Sequence, residues 1–171
     1  LAMAADVEHR LVWNLTVNET EVGQQTVNIK YHRSGVSVRR VLETWTELNY
    51  EERRQSIQYR QRMTANLDGQ YPAAFHSVVD VNGARREVQA RWTPASWWLT
   101  VITSSRDRTA QVPNHRIDLS TADLLDPEAP RSLGHYERVR LLVSESGDVI
   151  DGVVKRLGST TIKVGGESVV T

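Results

Sequence analysis

The stretch that decides the fold is residues 11–48, which read LVWNLTVNETEVGQQTVNIKYHRSGVSVRRVLETWTEL. Its opening run places Leu11, Trp13 and Leu15 on one side of an extended chain, the period-two pattern of a strand with one buried face. Turn-forming residues at 18–21 and 32–35 divide the stretch into three such runs. Strands with short connections pair antiparallel, because parallel pairing needs a crossover of about a dozen residues. The sequence therefore predicts a meander.

Length and composition describe one globular domain. The chain has 171 residues, 39% of them hydrophobic and 25% charged, which is enough for a single core. Basic and acidic residues number 21 each, so net charge favours neither nucleic acid nor an anionic membrane as a partner. The chain has no cysteine, which excludes disulfides and thiolate metal sites. No run approaches the roughly 20 apolar residues of a membrane span, so we expect no transmembrane segment.

The first residues indicate export. Residues 1–5 read LAMAA and are followed at once by Asp6 and Glu8, which is typical of the end of a signal peptide and the start of a mature protein. We therefore expect residues 1–5 to be a signal-peptide remnant or a tag, and residues 6–171 to form one antiparallel β domain. The expected location is periplasmic or otherwise exported.

Period-two runs continue along most of the remaining chain. A change of apolar parity after Val38 predicts a bulge near Arg39-Arg40 or burial on both faces of the third strand. Residues 49–54 are interpreted as a charged connection, and Asn82-Gly83 as a tight hairpin turn, because both residues accept a positive φ. The further predicted strands cover residues 55–66, 71–81, 85–92, 97–103, 106–112, 136–144, 149–157, 160–164 and 168–171.

One segment, residues 120–126, has helical features instead. Ser120 suits a helix N-cap, Asp123 puts an acid in the first turn, and a proline follows the segment. We expect a short helix here that packs Leu124 or Leu125 on the sheet. The predicted fold class is all-β: a strongly curved antiparallel sheet, or an open barrel, of about eleven strands with one short helix.

Three segments resemble a bacterial family of exported β proteins of unknown function. The first is VWNLTV at residues 12–17, with a glycine at Gly23 early in the second strand; the second is TADLLD at residues 121–126. The third comprises Gly147-Asp148 through Arg156-Leu157-Gly158, and IKVGG at residues 162–166. The resemblance implies a curved antiparallel sheet similar to the folds of the lipoprotein carrier and receptor (Lol-type) envelope proteins. It implies no activity and no catalytic residues.

The chain departs from that family at its C-terminus. Family members usually continue past the glycine pair with another hairpin, whereas Thr171 here falls inside an expected strand. Residues 160–164 and 168–171 are predicted to form a hairpin around Gly165-Gly166. We expect the sheet to be completed by a longer native chain or by a strand from a second polypeptide, in preference to ending there.

No group of residues in the sequence predicts catalysis. The histidines His9, His32, His76, His115 and His135 lack the spacing that joins two imidazoles on one metal. The nucleophile-elbow and phosphate-loop motifs are absent. Glu43, Glu47, Glu51 and Glu52 adjoin Arg53 and Arg54 and are interpreted as a neutralised, solvated edge. We expect no metal, cofactor or catalytic residue, and a non-catalytic role is favoured over an enzyme of unknown reaction.

The tryptophans are the residues with functional potential. The chain has five tryptophans and a single phenylalanine. Trp13, Trp45 and Trp92 are predicted to be largely buried, and one of the adjacent Trp97 and Trp98 to be far more exposed than the other, because neighbours on a strand face opposite ways. Core packing is the simplest role for the set, and lining a ligand cavity or an interface is the functional one.

Two functions are compatible with these features of the sequence. The first is a binding or carrier module that holds an apolar small molecule or lipid on the curved sheet. The second is an accessory or structural subunit that docks on another cell-envelope protein, with Trp97 or Trp98 in the interface.

Overall fold

The computed structural model describes residues 7–17, 19–34, 37–68, 71–125, 136–155, 161–164 and 167–170. These residues form thirteen strands and two three-residue 3-10 turns. The predicted all-β class is therefore confirmed. In the described part of the chain, no helix is both long enough and apolar enough to cross a membrane.

The first eight strands form one antiparallel sheet in chain order, which confirms the predicted meander. Within the described residues the sheet is open, because β1 pairs only with β2 and β8 only with β7. The strands are β1 (Val7–Val17), β2 (Thr20–Ser34), β3 (Ser37–Glu52), β4 (Gln55–Asp68), β5 (Tyr71–Val81), β6 (Ala84–Trp92), β7 (Ser96–Thr103) and β8 (Asp107–Pro113).

Two tight turns set the register of the central strands. Asn82 and Gly83 have φ values of 52° and 83°, which confirms the predicted hairpin turn. Arg53 and Arg54 also have positive φ values, 49° and 67°, and join β3 directly to β4. The predicted charged connection over residues 49–54 is therefore wrong, because β3 continues to Glu52.

Of the two alternatives predicted for the third strand, the bulge near Arg39-Arg40 is wrong. Strands β2 and β3 pair without a shift of register from Gly23 opposite Leu48 to Ser34 opposite Ser37. The shifts that do occur lie at Leu15/Thr16 and Asn66/Leu67. The apolar parity changes because β3 carries Val41 and Trp45 on one face and buries threonines on the other.

A three-stranded sheet covers one face of the large sheet, which we call the inner face. It consists of β9 (Leu119–Ser120), β10 (Tyr136–Leu142) and β11 (Val149–Lys155), in the order β11-β10-β9. Leu142 and Ile117 belong to the same buried cluster as Ile29 and Leu42 of the large sheet. The uncovered side of the large sheet is called the outer face.

The turn after β10 fixes the cover to β8. The Arg108 guanidinium donates to Asp148 Oδ1 at 2.7 Å and to the Ser146 carbonyl at 3.3 Å. Hydrogen bonds from Arg108 and Ser146, and the Arg108 charge, hold the pKa of Asp148 below its usual value, so this carboxylate is ionised at neutral pH.

The predicted helix over residues 120–126 is a single 3-10 turn, Asp123–Leu125. The Asp123 carboxylate accepts from the Ser120 N–H at 2.7 Å and from the Ser120 hydroxyl at 2.9 Å. These two bonds satisfy the Ser120 N–H and hydroxyl as a helix N-cap would, but only one turn follows them. Leu125 packs against the core, as predicted for one of the two leucines, while Leu124 is exposed.

The last two strands, β12 (Thr161–Val164) and β13 (Glu167–Val170), pair antiparallel from Thr161 opposite Val170 to Val164 opposite Glu167. The predicted C-terminal hairpin is therefore confirmed. Its glycine pair, Thr171 and residues 1–5 lie outside the described residues. Completion of the sheet by a further strand stays a prediction.

Candidate functional site

The outer face of the large sheet carries the most exposed tryptophan, Trp98. Its neighbour Trp97 is 3% exposed, whereas Trp98 is 52% exposed. This difference confirms the prediction for the adjacent pair and follows from strand alternation. Arg91, itself exposed, lies directly opposite Trp98 on β6. Trp98 and Arg91 therefore form one corner of the outer face.

A second tryptophan and arginine lie on the same face at β3 and β4. Trp45 is 47% exposed and stands opposite Arg62 in the register. The Arg62 Cζ is 3.9 Å from the centre of a Trp45 ring, a cation–π contact that holds both side chains in place. A groove of about 330 Å³ beside them is lined by Thr26, Asn28, Glu43 and Thr64.

The two pairs are far enough apart to anchor one partner at two points. When the pairing is followed across the sheet from Trp45 on β3, through β4, β5 and β6, it reaches Ile102 on β7. Ile102 is four residues from Trp98. Four strand spacings and four residues along a strand give a separation of about 23 Å between the tryptophans. Polar side chains lie between them in one row, namely Thr64, His76 and Gln89.

Several other charges on the outer face neutralise each other. Lys30 pairs with Glu43 at 3.4 Å, and Arg60 with Glu47 at 3.1 Å. Glu87 accepts from Gln89 at 2.8 Å and contacts His76 Nε2 at 2.9 Å; its pKa is lowered by Gln89, His76 and Arg85. In the described residues, no carboxylate lies within ion-pair distance of the two arginines beside the tryptophans. The site therefore has two available cations.

The burial predicted for Trp13 and Trp45 is wrong. Trp45 lies on the open outer face because Thr44 and Thr46 occupy the buried positions of β3. Trp13 does face inward, but it is 39% exposed because it is on the edge strand β1. Trp92 is partly buried against the core and lies opposite Trp97. The structure thus separates the five tryptophans into two outer, two core and one edge position.

Buried polar groups on the inner face serve the fold. Burial, and then the charge of Glu145, raise the pKa of Tyr59, so its phenol stays protonated. That phenol donates to Gln61 Oε1 at 3.1 Å, and the Gln61 amide donates to Ser77 Oγ at 3.0 Å. Satisfied hydrogen bonds of this kind are what buried side chains need, and they do not create a reactive group.

Two further observations bear on chemistry. Among the residues whose positions are described, no three His, Asp or Glu side chains gather as metal ligands would. A depression of about 890 Å³ beside β10 and β11 contains Arg140 and Asp118. These two pair at 2.9 and 3.0 Å, and the hydrogen bonds from Arg140 lower the pKa of Asp118. Arg140 and Asp118 therefore neutralise each other within the chain, while Arg138 and Asp151 also line the depression.

Sequence reasoning missed Arg62 and Arg91. The local sequence carries no signal for Arg62, because position 62 lies opposite position 45 only if a two-residue turn forms at Arg53-Arg54. Comparison with protein-family models, curated proteins and solved structures found no significant match. The resemblance to Lol-type envelope proteins therefore stays a prediction.

Proposed function

We propose that the chain is a non-catalytic docking module that binds an acidic surface of a partner protein with its outer face. The observation that carries the proposal is the pairing of two exposed tryptophans, Trp45 and Trp98, with two arginines that have no carboxylate partner in the described part of the chain. The exported location predicted from residues 1–5 is part of this proposal.

The exposed indoles of Trp45 and Trp98 would gain free energy by being buried against a partner. An indole exposed to water leaves a large apolar surface unburied. Tryptophan and arginine are also enriched among interface hot spots. Arg62, stacked on Trp45, keeps N–H groups at its edge for a carboxylate. A partner that supplies apolar groups to the indoles and carboxylates to the arginines would satisfy both.

The dimensions suit a single partner. A separation of about 23 Å between the tryptophans fits inside an interface of standard size, about 800 Å² on each side. Arg62 and Arg91 are about 17 Å apart by the same strand spacings, which an extended peptide spans in about five residues. The expected partner surface therefore presents two carboxylates at that separation, with apolar groups beyond each.

The test uses a fluorescent extended peptide with two glutamates four residues apart and a leucine two residues outside each, so that all four side chains face the same side of the peptide. We expect the chain to bind it in fluorescence polarisation, and Trp98→Ala or Trp45→Ala to weaken binding on the order of 30-fold, the effect of losing a hot spot of about 2 kcal/mol. Arg62→Gln combined with Arg91→Gln should weaken binding at least as much.

The matched control is Arg60→Gln, which removes an outer-face arginine that already has a carboxylate partner, Glu47. This variant should bind the peptide as the parent does. A peptide with glutamine in place of both glutamates should bind weakly to every variant. If Arg60→Gln lost half as much binding free energy as the Arg62/Arg91 double variant, which removes twice the charge, only net charge would matter and the proposal would be contradicted.

The carrier function is the second candidate, and one observation favours it. Trp13 faces the inner side and is 39% exposed, while Leu11 and Leu15 beside it are only partly buried. An apolar ligand could extend the cover over this strip. Native mass spectrometry of the purified chain should then show a retained small molecule that Trp13→Ser loses; a ligand-free parent would contradict the carrier function.

A further inference from the structure

A second surface lies on β11, at the edge of the three-stranded sheet. Strand β11 pairs with β10 on one side, and no described strand pairs with its other side. An edge of this kind presents a row of backbone N–H and C=O groups that can pair with another strand.

From Val149 to Val153 most side chains of β11 are apolar and do not oppose such pairing, and the lysine of the strand, Lys155, lies at its end. Val149, Ile150 and Val153 are 37%, 48% and 51% exposed. Natural edge strands are usually protected by proline, by lysine or by a bulge. Between Val149 and Val153 the strand has no proline, one charged residue, Asp151, and a regular register with β10. It is therefore an apolar, regular edge that a strand can extend.

The sequence of β11 is complementary to itself around Val153. In a two-fold antiparallel pair, a residue on the axis faces its own copy. With Val153 on the axis, each Asp151 lies opposite Lys155 of the second copy. Centring on Asp151 instead would set two carboxylates opposite each other, which is unfavourable. The register on Val153 gives two pairs of opposite charge and one valine pair.

We propose that β11 is a self-association surface, at which two copies of the chain pair around Val153. The pairing joins two three-stranded sheets into one sheet of six strands, in which β9 and β10 pair parallel. The overlap runs from position 151 to position 155, so the contact is small and the dimer belongs to the weak class. It uses a strand remote in sequence from the outer-face tryptophans and does not depend on the docking function.

Sedimentation over a dilution series tests the pairing. The parent should show a reversible monomer–dimer equilibrium at low salt. Asp151→Lys should weaken it about tenfold or more, because two attractive pairs become two lysine–lysine pairs, and Asp151→Lys with Lys155→Asp should restore it. Glu8→Lys makes the same charge change on exposed β1 and should leave the equilibrium unchanged.

A cysteine variant identifies the register, since the chain has no cysteine of its own. Under mild oxidation, Val153→Cys should form a disulfide-linked dimer, because the two positions face each other across the axis. Ile150→Cys should not, because its own copy lies six residues out of register. A parent that stays monomeric at high concentration, a failure of the charge swap to restore dimers, or equal cross-linking of both cysteine variants would overturn the proposal.

Discussion

Replacing Gly23 with alanine is expected to destabilise the protein by about 3 kcal/mol, the upper range for forcing extra volume into a packed structure. Gly23 lies opposite Leu48 in the pairing of β2 with β3. A Cβ here would overlap the Glu47 carbonyl oxygen and lie 2.9 Å from Leu48 Cα. Both are backbone atoms and cannot rotate away, so the two strands would have to separate. The measurement is the urea midpoint.

Gly152 provides the matched control for this substitution. It is also a strand glycine, but a Cβ there would meet only ordinary contacts, at 3.9 Å from the Val139 side chain and carbonyl oxygen. Gly152→Ala should change the free energy of unfolding by no more than about 1 kcal/mol, the range of strand propensities. If both variants unfold at the same urea concentration as the parent, the close approach of β3 to Gly23 is not a constraint on the fold.

Truncating Leu142 to alanine should cost about 2–5 kcal/mol, since the side chain is fully buried and the surrounding residues relax only partly into the cavity. Leu142 lies in the covering sheet but belongs to the core of the large sheet. The two sheets should therefore unfold together. Tryptophan fluorescence, which reports the large sheet because all five tryptophans lie in its strands, and far-UV circular dichroism should show one shared transition at a lower denaturant concentration.

The control for this variant is Leu124→Ala, since Leu124 lies in the covering segment and is 43% exposed. Its free energy of unfolding should stay within about 0.5 kcal/mol of the parent's, as for other surface changes. A Leu142→Ala variant whose circular dichroism shifts while the tryptophan transition stays in place would show that the cover unfolds separately.

The sequence was sufficient for the fold class and for most strand positions. Strand β5 begins and ends where the period-two pattern places it, at Tyr71 and Val81. The turn at Asn82-Gly83 was also predictable, because these residue types accept positive φ. Single-strand alternation also identified the unequal exposure of Trp97 and Trp98 without any knowledge of pairing.

The Trp45–Arg62 contact could not be predicted from the sequence, for a physical reason. Its register depends on the turn at Arg53-Arg54, where both residues are left-handed. This conformation costs on the order of 1–2 kcal/mol for a residue with a side chain. The residue types at positions 53 and 54 therefore do not predict a turn of this kind. The long ladder between β3 and β4 stabilises the turn, and that ladder is a property of the paired strands.

The burial of Trp45 was mispredicted because hydrophobicity was used to assign a face. Thr44 and Thr46 are each 5% exposed, on the covered side of β3. The branched threonine side chain fits a pleated surface well. In a strand whose apolar residues lie on both sides, the pattern alone does not tell which side the rest of the chain covers.

The chain-order pairing of the eight-stranded sheet has a consequence during synthesis. Each strand finds its partner in the segment made just before it, so every pairing step closes only a short loop and is fast. The covering residues, such as Ile117 and Leu142, are made after all eight strands. In a ribosome-bound sheet, Ile29 and Leu42 would therefore stay exposed to water until the covering residues emerge. Chaperones that recognise exposed apolar surface would bind the chain most strongly in that interval.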